Sequence, residues 1–182
     1  IFLKDDNDNN FILALLNTNI VREILQITNP TLAYQVKNIR ETPFLEINKR
    51  ERIEENVDKL IDFSDKDWNL KETSWNFIGL HLLLKKIHLE TLASTYIALR
   101  GHWHNTTLEM QRLEEENNRI FIEAYGLEDE LDPVVPLEEI TLTCNPHYRY
   151  SGKKTEEELE ALQLEDTMKE LISRSEERRV GK

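Results

Sequence analysis

Apolar residues recur at helical spacing along much of this 182-residue chain, and polar or proline-containing segments separate the runs. A first run covers residues 11–25 and predicts one helix ending before Asn29-Pro30, because a residue that precedes proline disfavours helical backbone. The charged run that begins at Asn48 also indicates a helix, since its apolar positions recur at helical intervals. These positions are Ile53, Val57, Leu60 and Ile61.

The most apolar stretch of the chain is residues 80–99, which predicts a single buried helix. Residues 112–125 have apolar side chains along one side and are followed by Gly126, the residue type that most often ends a helix in the left-handed conformation. We therefore expect an amphipathic helix that ends at Tyr125.

Two pairs of residues have the spacing of a capping box, in which a Thr and a Glu three residues later satisfy each other's free backbone N–H groups. Thr106 and Glu109 form the first pair, and Thr155 and Glu158 form the second. Each pair predicts the start of a helix. The second helix would carry Leu159 and later leucines on its apolar side.

Two short segments favour strands instead. Residues 31–44 alternate apolar and polar positions before Pro43, and residues 140–143 read Ile-Thr-Leu-Thr. The predicted fold class is therefore mainly α: a helical domain with long antiparallel helices, preceded by a small α/β end.

Charge is unevenly distributed along the chain, whose formal net charge is −12. Residues 101–172 carry 18 acidic and 6 basic side chains, so this half is poorly suited to bind a phosphate backbone. If the chain contacts DNA, the first half is the better candidate. An alternative is that the first-half cations merely begin a charged helix that Glu46 and Glu51 neutralise. The cations are Lys37, Arg40, Lys49, Arg50 and Arg52.

A single cysteine, Cys144, leaves no disulfide framework, and no basic segment precedes an apolar stretch as in a signal peptide. A reducing cytoplasm is the expected location. No run approaches the length of apolar sequence that a membrane helix needs, so we predict no membrane partner. The first residue is not Met, and we expect this sequence to be an internal fragment.

Other residues with reactive or ligating side chains favour structural roles. His102 and His104 flank Trp103, but residues two apart on a helix point apart, which disfavours a shared metal. We interpret His81 and His88 as core-edge residues, and Cys144 lacks a context for nucleophilic catalysis. The acidic runs at 114–116 and 156–158 indicate solvated helix faces.

Two tryptophans, Trp68 and Trp75, have two interpretations. Exposed aromatic rings can stack on the bases of a single strand, but Lys71 is the one basic residue interleaved with them. We therefore expect both rings to anchor a loop into the helical core.

Three stretches together resemble a known family of enzymes. They are DWNLKETSWNF at 67–77, RLEEENNRIFIEAYGLEDEL at 112–131 and PLEEITLTCNPHYRY at 136–150. These stretches are similar in sequence to the region after the catalytic domain in large adenine-specific DNA methyltransferases, of the PglX type in BREX phage-resistance systems. Residues 16–44 resemble the closing stretch of target-recognition regions in fused restriction-modification enzymes and type I specificity subunits.

The resemblance implies an organisation of the chain. Residues 1–44 would end a target-recognition-like region, 45–130 would form the helical domain, and 131–172 would hold a linker, a short strand and a helix. Residues 173–182 do not continue the apolar pattern expected after Leu171 and Ile172. They resemble a translated sequencing adapter, so we predict a non-native tail there.

The resemblance also implies a function. The full-length protein would transfer a methyl group from S-adenosylmethionine to adenine N6 in double-stranded DNA, as part of anti-phage defence. This fragment would lack the cofactor-binding and catalytic motifs, and would support DNA recognition and docking to other defence proteins. Two alternatives stay open: part of a fused type II restriction-modification enzyme, with a nuclease domain upstream, or a helical protein-interaction module without a DNA role.

One segment comes close to the motif that such enzymes use to hold a flipped adenine, an Asn or Asp followed by two prolines and an aromatic residue. Asn145-Pro146-His147-Tyr148 lacks the second proline, and no glycine-rich loop for S-adenosylmethionine precedes it. We therefore interpret the segment as a turn before a helix. Asn29-Pro30 lacks the aromatic residue as well.

Overall fold

Helices make up the regular structure of the described part of the chain. The computed structural model describes residues 9–29, 36–84 and 89–180, with side chains described as far as Glu176. These ranges contain 3₁₀ turns at His81–Leu83 and Leu137–Glu139 and no strand, so the mainly α fold class is confirmed. The helices are α1 Asn9–Leu16, α2 Asn19–Thr28, α3 Val36–Arg40, α4 Arg50–Trp68, α5 Leu92–Tyr125, α6 Pro146–Arg149 and α7 Glu156–Val180.

The two predicted strands are not found in the described residues. Val36–Arg40 is the helix α3, while residues 31–35 lie outside the described ranges, so the predicted small α/β end is not shown. The predicted strand at 140–143 is wrong. Its end turns back on itself, since the backbone N–H of Leu142 donates to the carbonyl of Ile140 at 2.8 Å.

The apolar run at 11–25 forms two helices instead of the predicted one. Thr18 separates them, because its hydroxyl donates to the carbonyl of Leu15 at 2.7 Å and accepts from the N–H of Val21 at 3.4 Å. It thereby closes α1 and caps α2. Among the described residues no single helix is long and apolar enough to cross a membrane; only α1 and α2 taken together pass, and they are bent by 63°.

The single helix predicted over 80–99 is also wrong. Residues 81–83 form a 3₁₀ turn, Leu84 is extended, and α5 begins at Leu92. Its start is set by Thr91 and Ser94, whose hydroxyls each accept a hydrogen bond from the other residue's backbone N–H. This reciprocal cap explains the helix start.

The capping box predicted at Thr106 does not begin a helix, because α5 continues through it and the Thr106 hydroxyl donates to the carbonyl of His102. The second box is confirmed. The N–H of Thr155 donates to the Glu158 carboxylate at 2.9 Å, and the N–H of Glu158 donates back to the Thr155 hydroxyl at 3.3 Å.

The predicted end of α5 is confirmed at Gly126, whose φ is +65°. Its N–H donates to the carbonyl of Glu123, and the N–H of Leu127 donates to the carbonyl of Ile122. This is the two-bond ending that a left-handed residue permits.

The C-terminal residues continue α7 as a helix to Val180. Within this segment Arg174 lies 3.7 Å from the Glu72 carboxylate and 5.6 Å from the Phe77 ring centre. The prediction of a non-native tail concerns the origin of residues 173–182, not their conformation. It stays a prediction.

Two compact units organise the chain, and neither is a continuous segment. The first unit combines Ile1–Asp62 with Met110–Val135, and its core is built from α1, α2, α4 and the C-terminal part of α5. The domain boundaries predicted at 44, 130 and 172 stay a prediction. The buried residues of its hydrophobic cluster are Phe11, Ala14, Leu15, Ile20, Val21, Ile47, Ile53, Val57, Ile120, Phe121 and Ile122.

The second unit combines Phe63–Glu109 with Pro136–Lys182. One carboxylate organises its 140s segment: Asp67 accepts from the backbone N–H groups of Thr143 at 2.6 Å and Cys144 at 3.0 Å. The Asp67 carboxylate thereby satisfies two backbone N–H groups that have no carbonyl partner from a neighbouring strand. The buried apolar residues of this unit are Leu80, Leu82, Leu99, Ile140, Leu142, Cys144 and Leu159.

The loop after α4 is closed by polar contacts, not by its tryptophans. The Ser74 hydroxyl donates to the Asn69 side chain at 2.8 Å and accepts from the N–H of Asn76. Trp75 is fully exposed and Trp68 is half exposed, so the prediction that both rings anchor the loop is wrong. Stacking on a single strand stays an untested alternative.

Candidate functional site

Three of the five predicted DNA-contact residues lie together at the N-terminal end of α4, where each is paired with a carboxylate. Lys49 contacts Glu123 at 2.7 Å. Arg50 contacts Glu54 at 2.7 Å, and its guanidinium lies 5.1 Å from the centre of the Phe11 ring. Exposed pairs of this kind add little stability, but they neutralise the positive charge that would otherwise bind a DNA phosphate.

Arg52 is the most firmly held of the three. Its Nε and Nη2 donate to the two oxygens of Glu116 at 2.7 Å and 3.0 Å, and Glu55 lies 3.4 Å away. Arg112 donates to the same carboxylate of Glu116 at 3.0 Å. The hydrogen bond from Arg52, followed by that from Arg112, lowers the pKa of Glu116 below its ordinary value of 4.5, and Glu116 in turn raises the pKa of Arg52.

These pairs fix the direction of α5 beside α4 in the first unit. Lys49 pairs with Glu123 and Arg52, farther along α4, pairs with Glu116, which is earlier on α5. The two helices are therefore antiparallel here. Asn56 on α4, fully buried, donates to the Asn117 side chain on α5 at 2.9 Å.

Replacing Glu116 by glutamine should flatten the acid side of the stability profile. A carboxylate whose pKa is lowered by folding stabilises the protein above its unfolded pKa and loses that contribution as pH falls through the folded pKa. The melting temperature of the native chain should therefore fall more steeply below pH 4.5 than that of Glu116→Gln.

Thermal unfolding followed by circular dichroism at stepped pH values measures this difference. Glu128→Gln provides a control, because Glu128 is exposed. Parallel acid profiles for the native chain and Glu116→Gln would contradict the pairing with Arg52 and Arg112.

The other two predicted residues lie on α3 and are more available. Lys37 is exposed and lies 3.6 Å from Glu41, which directly follows the end of α3. Arg40 is exposed and has no hydrogen bond or ion pair among the described residues. Of the five predicted cations, Arg40 has no carboxylate partner among the described residues, and the Lys37–Glu41 pair is longer than the 2.7 Å pairs at α4. The prediction that the five contact DNA stays a prediction.

The Asn145 segment is a helix cap, as the turn interpretation predicted. Asn145 is fully buried, and its amide donates to the carbonyls of Leu137 at 2.7 Å and Ile140 at 2.8 Å. Its side-chain oxygen accepts from the N–H of His147 at 3.1 Å, with Pro146 in the first turn of α6. Both donors of the amide and its oxygen are therefore already engaged within the protein.

The histidines form polar contacts in the second unit. Trp103 donates its indole N–H to Nδ1 of His81 at 2.9 Å, and the ring of His102 lies 5.5 Å away, edge to face. Burial, and then the neighbouring His102, lower the pKa of His81 to about 4. His88 lies outside the described residues, and the described residues contain no group of three or more metal-ligating side chains.

A small pocket lies in the second unit, with a volume of about 40 Å³. Glu170 in its lining binds Lys71 at 3.2 Å and Arg149 at 3.1 Å. Gln163 donates to the carbonyl of Cys144, and its buried side-chain oxygen has no partner among the described residues. A space of this size admits a few water molecules, whereas pockets for small organic ligands measure about 300–1,000 Å³.

Several side chains that organise the first unit are missed by sequence reasoning. Asn118 accepts from the N–H of Asn19 at 3.1 Å and donates to the carbonyl of Pro133 at 3.1 Å. Gln111 donates to the carbonyl of Val135 at 2.7 Å, and the N–H of Val135 donates to the Glu115 carboxylate. The adjacent Asn117 and Asn118 in an otherwise charged helix are the one sequence signal that hints at these contacts.

The chain is similar to two curated proteins. It is 32% identical, over 136 residues and 72% of its length, to the adenine-specific methyltransferase PglX of Lacticaseibacillus casei (strain Zhang). It is 29% identical, over 164 residues and 90% of its length, to the adenine-specific methyltransferase BrxX of Escherichia coli O9:H4 (strain HS). The resemblance to PglX-type methyltransferases is confirmed.

The matched segment is a small part of each relative. The chain spans 11% of the PglX protein and 13% of the BrxX protein. No family model matches the chain. The similarity therefore covers one segment of each relative, and the activity of the whole enzymes is considered below as a proposal.

Proposed function

We propose that this chain is part of a site-specific adenine-N6 DNA methyltransferase that uses S-adenosylmethionine in an anti-phage defence system. In this proposal the segment supports DNA target recognition and partner docking, and methyl transfer takes place elsewhere in the full-length protein. The similarity to two adenine-specific methyltransferases over most of the chain is the observation that carries it.

Two features favour a supporting role over a catalytic one. The side chain of Asn145, in the segment closest to an adenine-binding motif, already makes three hydrogen bonds to backbone groups and has no free donor for a base. The pocket of about 40 Å³ is also far below the size of a nucleoside site. The residues present there do not fit S-adenosylmethionine.

The proposed DNA contact is through Lys37 and Arg40 on α3. Neutralising a phosphate releases condensed counterions, so a cation contributes most when no carboxylate already holds it. On this ground Arg40 is favoured, since it has no carboxylate partner among the described residues, and Lys37 follows, since Glu41 lies 3.6 Å from it. The α4 cations have carboxylate partners at 2.7 Å. Such contacts position the protein on the duplex without reading its sequence.

Charge reversal on α3 of the full-length protein tests this contact. Lys37→Glu with Arg40→Glu should weaken binding to unmethylated duplex by about tenfold at moderate salt, and lower the slope of log affinity against log salt by about one per lost phosphate contact. The preferred sequence should not change, because phosphate contacts carry no base information. Fluorescence anisotropy with labelled duplexes measures affinity and slope.

The matched control is Lys153→Glu with Lys154→Glu, which makes the same charge change at exposed residues of the second unit. Its duplex affinity should stay within about twofold of the native value, apart from a uniform long-range effect that high salt removes. Equal losses in the two double variants would contradict a specific role for α3.

A further inference from the structure

A short turn of the second unit is tied to α5 by one side-chain hydrogen bond. The turn contains the 3₁₀ residues His81–Leu83, and its backbone hydrogen bonds stay within residues 80–84. Trp103 of α5 donates its indole N–H to Nδ1 of His81 at 2.9 Å. Among the described residues this is the one hydrogen bond between the turn and another element. The imidazole of His81 therefore fastens the turn to the helix.

This bond requires a neutral imidazole. A ring nitrogen accepts a hydrogen bond only when it carries no proton, so the proton of the neutral His81 ring is on Nε2. A protonated ring has two N–H groups and no acceptor, and its Nδ1–H would face the indole N–H of Trp103. Protonation of His81 and the hydrogen bond from Trp103 therefore exclude each other.

The surroundings also disfavour the charged form of this ring. The ring of His102 lies 5.5 Å away, edge to face. Burial, and then His102, lower the pKa of His81 to about 4, whereas Asp67 has a smaller opposing effect. The Cys144 thiol is neutral because burial raises its pKa, and the two acids and two bases beside it cancel in formal charge. These titratable groups, which line the same small pocket as His81, are Asp67, Lys71, Cys144, Arg149 and Glu170.

We propose that the His81–Trp103 hydrogen bond is an acid-released latch, which holds the turn at residues 80–84 against α5 while the imidazole is neutral and frees it when the imidazole gains a proton. Near neutral pH the latch is closed. When it opens, the buried side chains of Leu80 and Leu82 gain access to solvent. The inference is independent of the proposed methyl transfer.

The sign of the pH dependence follows from the direction of the pKa shift. A base whose pKa is lowered by folding stabilises the fold fully above its unfolded pKa, and that contribution is lost as pH falls towards the folded pKa. For His81 the window lies between pH 6.5 and about 4. The second unit should therefore lose stability across this range.

His81→Asn separates the hydrogen bond from the charge. The asparagine oxygen is as far along the side chain as Nδ1, so it can accept from Trp103, but it gains no proton. From about pH 7.5 to about pH 5.5, the melting temperature of the native chain should fall by about 2–4 °C relative to that of His81→Asn. Thermal unfolding of the full chain, followed by circular dichroism, measures the difference.

His104→Gln is the matched control, because His104 is an exposed histidine on the same helix. The difference in melting temperature between this variant and the native chain should stay constant within about 1 °C over the same pH range.

A second measurement follows the ring of His81 itself by NMR. In the native chain its resonance should titrate with a midpoint of about 4. Trp103→Phe keeps an aromatic ring but removes the indole donor, so the neutral form of His81 loses a hydrogen bond and the midpoint should rise.

Three results would overturn the proposal. The first is a pair of parallel melting profiles for the native chain and His81→Asn, which would mean that protonation does not loosen the turn. The second is a native His81 that titrates at its ordinary value of 6.5. The third is an equal midpoint in the native chain and Trp103→Phe, which would mean that the indole does not hold the ring neutral.

Discussion

Replacing Phe121 by alanine is expected to lower the free energy of unfolding of the first unit by about 3–5 kcal/mol. Phe121 is completely buried on α5, and its ring lies 5.4 Å from that of Phe11 on α1. The substitution leaves a cavity at the point where these two helices meet. Urea unfolding followed by circular dichroism measures the loss.

Phe44 provides a matched control for this substitution. Its ring also touches Phe11, at 5.5 Å, but Phe44 is 52% exposed. Phe44→Ala should therefore cost about 1 kcal/mol or less, because most of its surface is already in water. If both alanine variants lost the same stability, Phe121 would not lie at the centre of the core as described.

Replacing Asn145 should have the second largest effect. Asn145→Ala removes the helix cap and the two donors that satisfy the carbonyls of Leu137 and Ile140, at a cost of about 2–4 kcal/mol. Asn145→Asp should be at least as harmful. It keeps an acceptor for the N–H of His147 but places a carboxylate oxygen against two carbonyl oxygens.

Asn105→Ala is the control, since Asn105 is exposed on α5 and its loss should change stability by about 0.5 kcal/mol or less. The same urea titration compares the three variants. A stable Asn145→Ala chain that abolished methyl transfer in the full-length protein would contradict the cap and favour a role in holding the base.

Local signals in the sequence were enough to place several helix ends. Gly126 ends α5 because a left-handed residue without a side chain is needed there, and Thr155 with Glu158 begins α7 through contacts three residues apart. Such signals act within one helical turn. They do not depend on the rest of the fold, so the sequence alone reveals them.

Other features depend on alternatives that local patterns do not separate. The apolar run at 11–25 continues across Thr18, so its periodicity does not reveal that the hydroxyl divides two helices. Thr106 has the spacing of a helix start, yet α5 passes through it, because a threonine hydroxyl inside a helix can bond to the carbonyl four residues earlier.

The ion-pair partners of the basic residues in the candidate site also cannot be identified from local sequence. Their clustering at 49–52 is visible in the sequence, but the carboxylates that hold Lys49 and Arg52 lie 74 and 64 positions away. The fold alone brings Glu123 and Glu116 to them. A charge count therefore finds the cations without revealing which are already neutralised, and it does not distinguish Arg40 from Arg52.

Methyl transfer by the full-length protein that contains this sequence tests the proposed function most directly. Purified protein is incubated with S-adenosylmethionine and unmethylated DNA, and the modified bases are identified by mass spectrometry and mapped by sequencing. We expect N6-methyladenine at one sequence context, at a rate that falls with Lys37→Glu and Arg40→Glu. DNA that stays unmethylated, or carries the methyl group on cytosine, would rule out an adenine-specific methyltransferase.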